Sequence, residues 1–295
     1  MSKVGFIGLG IMGKPMAKNL AKAGYDVLAF DIMEQAMKEV SGAGCTACSS
    51  IKEVAQACDV IVTMLPNSPH VRKVVLGEGG IIEHAARGTL IVDMSSIAPD
   101  ASKEMFEALA QKDIHMIDAP VSGGEPKAID GTLAIMVGGN EKNFDRAKPL
   151  FDVLGSSAVL VGDIGSGNTC KLVNQVIVAA NIAALSEGMM LAKKAGTDPE
   201  KVFEAIRGGL AGSAVMNAKA PMMLKGIFQP GFRIGLHIKD LANALDTGAA
   251  TGAPLILTAE VMQMLQVLKA DGKANSDHSA IAQYYEKVAG TVLAE

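Results

Sequence analysis

The stretch Lys3–Gly13, with the sequence KVGFIGLGIMG, decides the fold of the first half of the chain. Its first residues are mostly apolar and predict a buried strand, and Gly8, Gly10 and Gly13 follow with GxGxxG spacing. The first glycine of such a turn lets the chain bend tightly, the second lets backbone approach a pyrophosphate, and the third lets the next helix pack on the strand. That helix, predicted over Lys14–Ala23, would direct N–H groups and a partial positive charge at phosphates.

An acidic residue at the end of the second predicted strand supports dinucleotide binding. Asp31 follows the apolar run Val27–Phe30, where a carboxylate accepts the ribose hydroxyls of a dinucleotide and repels a 2′-phosphate. Ile32 and Met33 follow it instead of an arginine, so we expect NADH to be preferred, with NADPH possible. The alternative is a glycine-rich turn that holds another ligand. The predicted cofactor-binding residues of this segment are Gly8, Leu9, Gly10, Ile11, Met12, Gly13 and Asp31.

Composition narrows the class of protein. The chain has 295 residues, more than one average domain, and 49% of them are hydrophobic, which is enough for two cores. A net charge of −4 and the lack of a long basic run argue against a nucleic-acid partner. The first residues lead straight into a strand, and we find no apolar stretch that reaches the ~18 residues of a membrane span. We therefore expect a cytoplasmic protein that contacts no membrane.

The cysteines predict neither a metal site nor a redox site. Cys45 and Cys48 have CxxC spacing, but no second pair or nearby histidine follows at a distance typical of zinc sites. The pair also falls where a short strand is expected, whereas a redox dithiol normally begins a helix. We expect reduced, structural thiols at all four cysteines, Cys45, Cys48, Cys58 and Cys170.

Strand-like and helical patterns alternate through the first half of the chain, which predicts a mostly parallel sheet covered by helices on both faces. Ligands bind such sheets at the carboxyl ends of the strands, where the loops Leu65–Ser68, Ser95–Ile97 and Ala119–Gly124 stand. The strand-like runs are Val4–Ile7, Val27–Phe30, Val60–Met64, Leu90–Asp93, Ile114–Asp118, Leu133–Val137 and Ala158–Val161.

The pattern changes near Gly162. The segment Asn168–Ala195 has no proline and one glycine, which predicts a helix roughly 40 Å long. It is apolar nearly all round and should therefore be buried on most sides. The rest of the chain is helical in pattern. We predict a dinucleotide-binding domain over residues 1–162 and an all-α domain over residues 163–295 that begins with this helix.

One lysine near the start of this helix is a candidate catalytic group. Lys171 has Asn174 and Gln175 at i+3 and i+4, so the three side chains share one helical face. The positive end of the helix dipole and partial burial would both favour the neutral amine, so its pKa could fall toward the range of an acid–base catalyst. Either amide could orient the amine or bind a substrate hydroxyl. The alternative is a solvated lysine with the amides as caps.

Four motifs resemble, in order, those of the β-hydroxyacid dehydrogenases: Gly5–Leu20, Asp118–Gly131, Gly165–Asn174 and Lys239–Ala244. The resemblance covers essentially the full length of the chain. It implies an α/β fold with an N-terminal Rossmann domain, a long interdomain helix and an all-α C-terminal domain, as in 6-phosphogluconate dehydrogenase-like proteins. It also implies a subunit interface in the all-α domain, so we expect a homodimer or homotetramer.

The resemblance also implies roles for individual residues. Lys171 matches the catalytic lysine of the family, Ser96 matches a cofactor-contacting hydroxyl that is usually Thr, and Lys239 matches a lysine that reaches cofactor and substrate. Many members carry Asn four residues after the catalytic lysine, where this chain has Gln175, so the identity of the orienting amide stays open. The substrate-binding loop corresponds to Ser122, Gly123 and Gly124, and Leu65 and Pro66 are further expected cofactor contacts.

Within the family, four segments are most similar to the branch that reduces tartronate semialdehyde (2-hydroxy-3-oxopropanoate): Leu65–His70, Gly124–Lys127, Ile206–Ser213 and His237–Ala244. We expect NADH-dependent, reversible reduction of this small anionic semialdehyde to D-glycerate, with Lys171 as general acid and base. The open alternatives are 3-hydroxyisobutyrate, a longer ω-semialdehyde such as succinic semialdehyde, and a non-catalytic dinucleotide-binding protein. Retention of Lys171 argues against the last.

Several other polar residues have roles that the sequence leaves open. His70 could approach the nicotinamide or lie on a surface loop, and His237 could serve the site or interhelical packing. Arg233 could bind the substrate carboxylate or form a surface ion pair. The run Asp277–Ser279 contains the residue types of a catalytic triad, but adjacency does not produce triad geometry, and we expect Asp277 to cap a helix.

Overall fold

A computed structural model describes residues 3–294. The chain divides into two compact units, Met1–Lys171 and Leu172–Glu295. The sequence analysis drew its domain boundary after residue 162, and the first residues of the long helix fall in the first unit.

The first unit is built on one sheet, in which nine strands pair within the described residues. The order β3-β2-β1-β4-β5-β6 is that of a Rossmann fold, and these strands run parallel to their neighbours. Strand β8 follows β6 in the order and is antiparallel to β6 and β7 but parallel to β9. The strands are β1 (Lys3–Ile7), β2 (Asp26–Phe30), β3 (Thr46–Ala47), β4 (Val60–Thr63), β5 (Leu90–Asp93), β6 (His115–Asp118), β7 (Val121–Ser122), β8 (Leu133–Gly138) and β9 (Gly155–Gly162).

Helices cover both faces of this sheet, because successive strand residues point to opposite sides. In β1, Phe6 packs in one core with α1 and α8, whereas Ile7 packs in the other with α3 and α6. The predicted strand runs and the two-sided covering are confirmed; the short strand β7 inside the loop 119–124 was not predicted. The helices are α1 (Gly13–Lys22), α2 (Glu34–Ser41), α3 (Ile51–Ala57), α4 (Ser68–Leu76), α5 (Ile81–His84), α6 (Pro99–Ala110), α7 (Gly124–Asp130) and α8 (Glu141–Leu154).

The second unit is helical, and within the described residues its elements include no strand, as predicted. Aliphatic and methionine side chains form its core, including Met189, Met223 and Leu265. Asp277 caps the short 3-10 helix His278–Ile281, as expected, by accepting from the N–H of Ser279. The helices are α9 (Ser166–Lys194), which begins in the first unit, α10 (Pro199–Ile206), α11 (Ala214–Leu224), α12 (Ile234–Thr251), α13 (Ile256–Ala270) and α14 (Ala282–Ala289).

Helix α9 is long and apolar enough, by length and composition, to cross a membrane. The expectation from the sequence that no apolar stretch reaches the length of a membrane span is therefore wrong. Half of the most apolar window of α9 is buried within the protein, as happens in the core helix of a globular protein.

All four cysteines are free thiols. Cys45, Cys48 and Cys58 are buried, and burial raises the pKa of Cys48 to about 11 and that of Cys58 to about 12. Thiols with such pKa values carry little thiolate at neutral pH and are poor nucleophiles and ligands. Their environment is that expected of structural cysteines.

Candidate active site

The carboxyl ends of five parallel strands lie in register along one edge of the sheet. The last residues of these strands pair as neighbours in the order Phe30, Ile7, Thr63, Asp93 and Asp118. The loops that follow them therefore begin side by side. Of the predicted site residues, this edge collects the glycine turn, Asp31, the loop at Leu65, Ser96 and the loop at Ser122.

The three glycines of the first turn each have a distinct environment. Gly8 has a φ of +101°, which favours glycine, and Gly13 leaves no room for a Cβ against the carbonyl of Gly8. A Cβ on Gly10, in contrast, would meet no protein atom within 4 Å. The protein itself does not require glycine at position 10, and an open approach to the backbone is what a bound pyrophosphate needs. The residues present therefore fit a dinucleotide.

Asp31 fastens this turn to the end of β2. Its Oδ2 accepts from the N–H of Leu9 at 2.6 Å, and its Oδ1 accepts from the N–H of Met33 at 2.8 Å. The N–H groups of Gly10, Ile11 and Met12 have no hydrogen-bond partner within residues 3–294. These donors stand at the start of α1, where anions bind favourably.

The loops after β4 and β5 are tied to each other. The N–H of Leu65 donates to Ser95 Oγ at 2.9 Å, and the N–H of Ala98 donates to Ser68 Oγ at 3.1 Å. Ser96 lies between these two ties and is half-buried, whereas Pro66 is exposed. Their positions follow from the ends of β4 and β5. His70 is exposed on α4, the helix after the first of these loops.

The loop Ser122–Gly124 turns sharply between β7 and α7. Gly123 and Gly124 have φ values of +138° and +69°, which non-glycine residues rarely adopt. The side chain of Lys127 lies close over Gly123, where a Cβ would collide with it. The turn leaves Ser122 half-buried and Gly123 exposed at the loop.

The start of α9 is bound into the sheet by a buried carboxylate. Asp118, at the end of β6, accepts from the N–H of Gly165 at 2.7 Å and from the N–H of Asn168 at 2.6 Å. The Asn168 side chain in turn accepts from the N–H of Ile97 at 3.0 Å and donates to Ser102 Oγ at 3.1 Å. Both Asp118 and Asn168 have 0% exposure. Three residues beyond Asn168 stands Lys171, which is 7% exposed.

This carboxylate changes one expectation for Lys171. The sequence analysis took the positive end of the α9 dipole as a force that favours the neutral amine. Asp118 places a negative charge at that end of the helix, and such a charge offsets the dipole. The burial expected for the lysine is present.

The predicted amides and Lys239 come together in the second unit through an acid that was not predicted. Asn174 Nδ2 donates to Gln175 Oε1 at 2.8 Å, and Gln175 Nε2 donates to Asp240 Oδ2 at 2.6 Å. Lys239 Nζ lies 2.8 Å from Asp240 Oδ1. Asp240 is 1% exposed, so this chain of contacts fixes the amide of Gln175.

Two buried acids at the sheet edge have raised pKa values. Burial raises the pKa of Asp93 to about 7 and that of Asp118 to about 6, and the N–H groups of Gly165 and Asn168 limit the rise at Asp118. Thr63 Oγ1 donates to Asp93 Oδ1 at 2.7 Å, while Asp93 Oδ2 has no partner within the described residues. A protonated, neutral Asp93 therefore suits its surroundings at neutral pH.

The residues with open roles lie in the second unit, except for His70. His237 is buried in α12, and its Nδ1 is 2.9 Å from Nδ1 of His278 in the 3-10 helix. This contact between two helices is the packing alternative considered for His237. Arg233 is exposed at the start of α12. Asp277 is buried and accepts a hydrogen bond from Lys219 Nζ at 2.9 Å. Burial alone would raise the pKa of Asp277, but the charges of His278 and Lys219 outweigh it and lower the pKa to about 2. Within residues 3–294 no cluster of acids, histidines and cysteines could hold a metal.

Sequence reasoning missed Asp118, Asn168 and Asp240. All three stand inside motifs that were quoted for other reasons, and each acts through a partner far away in sequence. An acid at the last position of a buried strand was the signal available for Asp118.

Comparison with known proteins identifies the family. A family model described as the NAD binding domain of 6-phosphogluconate dehydrogenase matches residues 3–162, and one described as NAD-binding of NADP-dependent 3-hydroxyisobutyrate dehydrogenase matches residues 165–285. The 2-hydroxy-3-oxopropionate reductase of Escherichia coli (strain K12) is 44% identical over 292 residues, covering 99% of this chain and 100% of that protein. The chain belongs to the β-hydroxyacid dehydrogenase family.

Other members differ in their named substrates. The 2-(hydroxymethyl)glutarate dehydrogenase of Eubacterium barkeri is 42% identical, covering 98% of this chain and 96% of that protein. The solved structure of 3-hydroxyisobutyrate dehydrogenase from Mycobacterium tuberculosis with L-serine has a TM-score of 0.89 and 32% identity, covering 97% of this chain and 99% of that one. This β-hydroxyacid dehydrogenase is therefore an oxidoreductase that binds NAD(P) and acts on hydroxyacids, which confirms the predicted fold class, the family and the binding of a nicotinamide dinucleotide.

Proposed function

We propose that this β-hydroxyacid dehydrogenase reduces tartronate semialdehyde (2-hydroxy-3-oxopropanoate) to D-glycerate, reversibly and with NADH. The observation that carries the substrate is the 44% identity, over 99% of the chain, to a 2-hydroxy-3-oxopropionate reductase. The substrate is a small anion that combines an aldehyde with a carboxylate, so the site must stabilise one developing negative charge and hold one that is already present.

Lys171 is the general acid of the proposed reaction. A nicotinamide bound at the glycine turn would supply the hydride that the aldehyde carbon accepts. As charge develops on the carbonyl oxygen, the ammonium of Lys171 stabilises it and gives its proton to it; in the reverse direction the amine accepts that proton. Its low exposure, 7%, keeps competing water away from the amine and strengthens its charge interactions.

The loop Ser122–Gly124 is the proposed carboxylate site. Glycines at positions 123 and 124 leave backbone N–H groups accessible, and the Ser122 hydroxyl adds a donor. Lys239, which forms an ion pair with Asp240, is a proposed cofactor contact.

Asn174 is the amide that we assign to the substrate. Both ends of the Gln175 amide are engaged, its oxygen by Asn174 and its nitrogen by Asp240. The Asn174 side-chain oxygen is left to accept from a substrate hydroxyl or from the lysine. Gln175 is then the residue that holds Asn174 in orientation.

The NADH preference rests on Asp31, whose carboxylate stands beside the glycine turn through its bond to Leu9. A ribose diol can donate to such a carboxylate, whereas a 2′-phosphate is repelled by it. The remaining proposed cofactor contacts are the turn Gly8–Gly13, Leu65, Pro66 and Ser96.

A second candidate substrate is 3-hydroxyisobutyrate. The family model over residues 165–285 and the M. tuberculosis structure both carry the name of 3-hydroxyisobutyrate dehydrogenase. The deciding experiment is a panel assay with the purified enzyme: tartronate semialdehyde, methylmalonate semialdehyde and succinic semialdehyde, each with NADH and with NADPH. Highest kcat/KM for tartronate semialdehyde with NADH supports the proposal. A preference for either other aldehyde reassigns the substrate, and a preference for NADPH reverses the cofactor assignment.

We also propose that the enzyme is a cytoplasmic homodimer or homotetramer that contacts neither nucleic acid nor membrane. Val173 and Ile177, one turn apart on α9, are each 54% exposed, and Leu191 on the same helix is 71% exposed. Exposed apolar residues on a mostly apolar helix favour self-association. Light scattering of the wild type and of Ile177→Glu tests this: the expected outcome is an oligomer that the substitution weakens.

A further inference from the structure

The start of helix α9 is packed so closely on the sheet that it has little freedom to move. A Cβ on Gly167 would lie 2.7 Å from the carbonyl oxygen of Asp118 and 2.8 Å from the N atom of Gly138. A Cβ on Gly138 would lie 2.7 Å from the N atom of Gly167 and 2.8 Å from the carbonyl oxygen of Asp163. Real Cβ atoms do not approach other atoms so closely, so backbone meets backbone where α9 enters the ends of β6 and β8.

Asp118 provides the polar part of this joint. Its two carboxylate oxygens bond two different N–H groups, those of Gly165 and Asn168, and so fix both the entry to the helix and its first turn. N–H bonds to a carboxylate are short and about twice as strong as those to neutral acceptors. Asn168 links the first turn of α9 to a second part of the sheet edge, because its side chain forms hydrogen bonds with Ile97 and Ser102 after β5.

Asp118 cannot act on a ligand directly, because it has 0% exposure and both its oxygens are occupied by backbone N–H groups. What it controls is the axis and rotation of the first turn of α9. Lys171 stands on the next turn of the same helix, so a tilt at Asn168 moves its amine. Displacement of a catalytic group by about 1 Å can slow a reaction about 100-fold.

We infer that Asp118 is a positioning residue for Lys171: its carboxylate, together with the Asn168 side chain, holds the first turn of α9 so that the lysine meets the substrate carbonyl. This inference rests on the proposed role of Lys171 as general acid. It predicts an effect on the chemical step and none on dinucleotide binding, which takes place at the glycine turn.

The test is Asp118→Asn, which keeps the shape but presents an NH2 group to one of the two N–H donors. We expect kcat to fall about 10- to 100-fold while the Kd for NADH, measured by fluorescence titration, stays within about twofold. The primary kinetic isotope effect on kcat, with NADH deuterated at the transferred position, should rise because the chemical step becomes slower. Partial unfolding would lower the rate by reducing the number of active sites, and the isotope effect would not change.

Asn140→Ala is the matched control. Asn140 caps α8 in the same unit by accepting from the N–H of Asn143 at 2.9 Å, so the variant loses a helix cap without touching α9. It should lose stability and keep kcat. Equal losses of kcat in Asp118→Asn and Asn140→Ala would overturn the inference, as would an unchanged kcat or isotope effect in Asp118→Asn.

A milder variant covers the case in which Asp118→Asn does not fold. Asn168→Ala leaves the carboxylate and both N–H bonds in place and removes the link to Ile97 and Ser102. It should show the same fall in kcat at nearly constant Kd for NADH, and wild-type kcat in this variant would then overturn the inference. All variants are assayed with whichever aldehyde of the panel the wild type reduces fastest, and Lys171→Ala is measured first. Near-normal turnover in that variant would reject the proposed general acid, which is a separate failure.

Discussion

Two helices of the first unit begin at the same edge of the same sheet, and their N-terminal ends are used in opposite ways. At α1 the N–H groups of Gly10, Ile11 and Met12 have no partner within the described residues, and space lies open over Gly10. At α9 the corresponding end is closed, because buried Asp118 bonds two N–H groups there. The first end is available to an anionic ligand, and the second already holds an anion of its own chain.

The difference shows how one physical property can serve binding or positioning. Every helix start presents N–H donors and a partial positive charge. An open start attracts phosphate, as the glycine turn does for the dinucleotide of this family. A start that is neutralised internally loses that capacity and gains rigidity, which suits a helix that carries the proposed catalytic lysine. The following substitutions test each end.

The largest effect is expected on the closed helix, at Lys171. Lys171→Ala removes the proposed proton donor, so kcat should fall about 10²- to 10⁴-fold, whereas the Kd for NADH should stay nearly constant because α1 is untouched. Stopped-flow or steady-state assays at 340 nm and a fluorescence titration measure the two. Lys194→Ala, on the exposed far end of α9, is the control and should keep full activity. Near-normal turnover in Lys171→Ala would contradict the mechanism.

The next effect is expected on the open helix, at Gly10. Gly10→Ala places a methyl group in space that no protein atom occupies, so stability should be unchanged while the Kd for NADH rises about 10-fold. Gly13→Ala is the informative contrast. Its methyl group would collide with the carbonyl of Gly8, so this variant should lose about 1–3 kcal/mol of unfolding free energy. If Gly10→Ala bound NADH as tightly as the wild type does, the proposal that the cofactor approaches the backbone at Gly10 would be wrong.

An effect of similar size is expected at Asp31, which joins the open end to β2. Asp31→Ser removes the carboxylate that accepts from Leu9 and repels a 2′-phosphate, so the ratio of kcat/KM for NADH to that for NADPH should fall about 10-fold. Glu34→Gln, which removes a nearby exposed charge on α2, should leave the ratio unchanged. An unaltered ratio in Asp31→Ser would mean that another residue sets cofactor preference.

The two helix ends also differ in how far the sequence predicts them. The open end is formed by residues close together in sequence, since the strand, the glycine turn, the helix and Asp31 follow one another within about 30 residues. The GxGxxG spacing therefore predicts their arrangement. The closed end is assembled from residues far apart, since Asp118 meets Asn168 across 50 positions. Hydrophobic periodicity predicts α9 and Lys171 on it, but no local pattern specifies which strand end its first turn contacts. Asp240, which meets Gln175 across 65 positions, escaped prediction for the same reason.

The smallest effect concerns the acids beside the closed end. Burial raises the pKa of Asp93 to about 7 and that of Asp118 to about 6, above the ordinary value of 3.8, so the folded protein holds these protons more tightly than the unfolded chain. Their contribution to stability is complete below the ordinary pKa of 3.8 and is lost progressively as pH rises from there through 6 for Asp118 and through 7 for Asp93. Asp277 has a pKa lowered to about 2, so its contribution to stability is lost as pH falls. That loss occurs well below the pH range of the other two acids.

Asp93→Asn isolates one of these acids. Because the variant cannot ionise there, its unfolding free energy should decrease less steeply than that of the wild type between pH 6 and pH 8, by about 1.4 kcal/mol over the interval. Urea unfolding followed by circular dichroism at several pH values measures this difference, and the contributions of all groups that the two proteins share cancel from it. Parallel curves would mean that Asp93 stays ionised in its buried site, and the neutral acid inferred beside the start of α9 would be wrong.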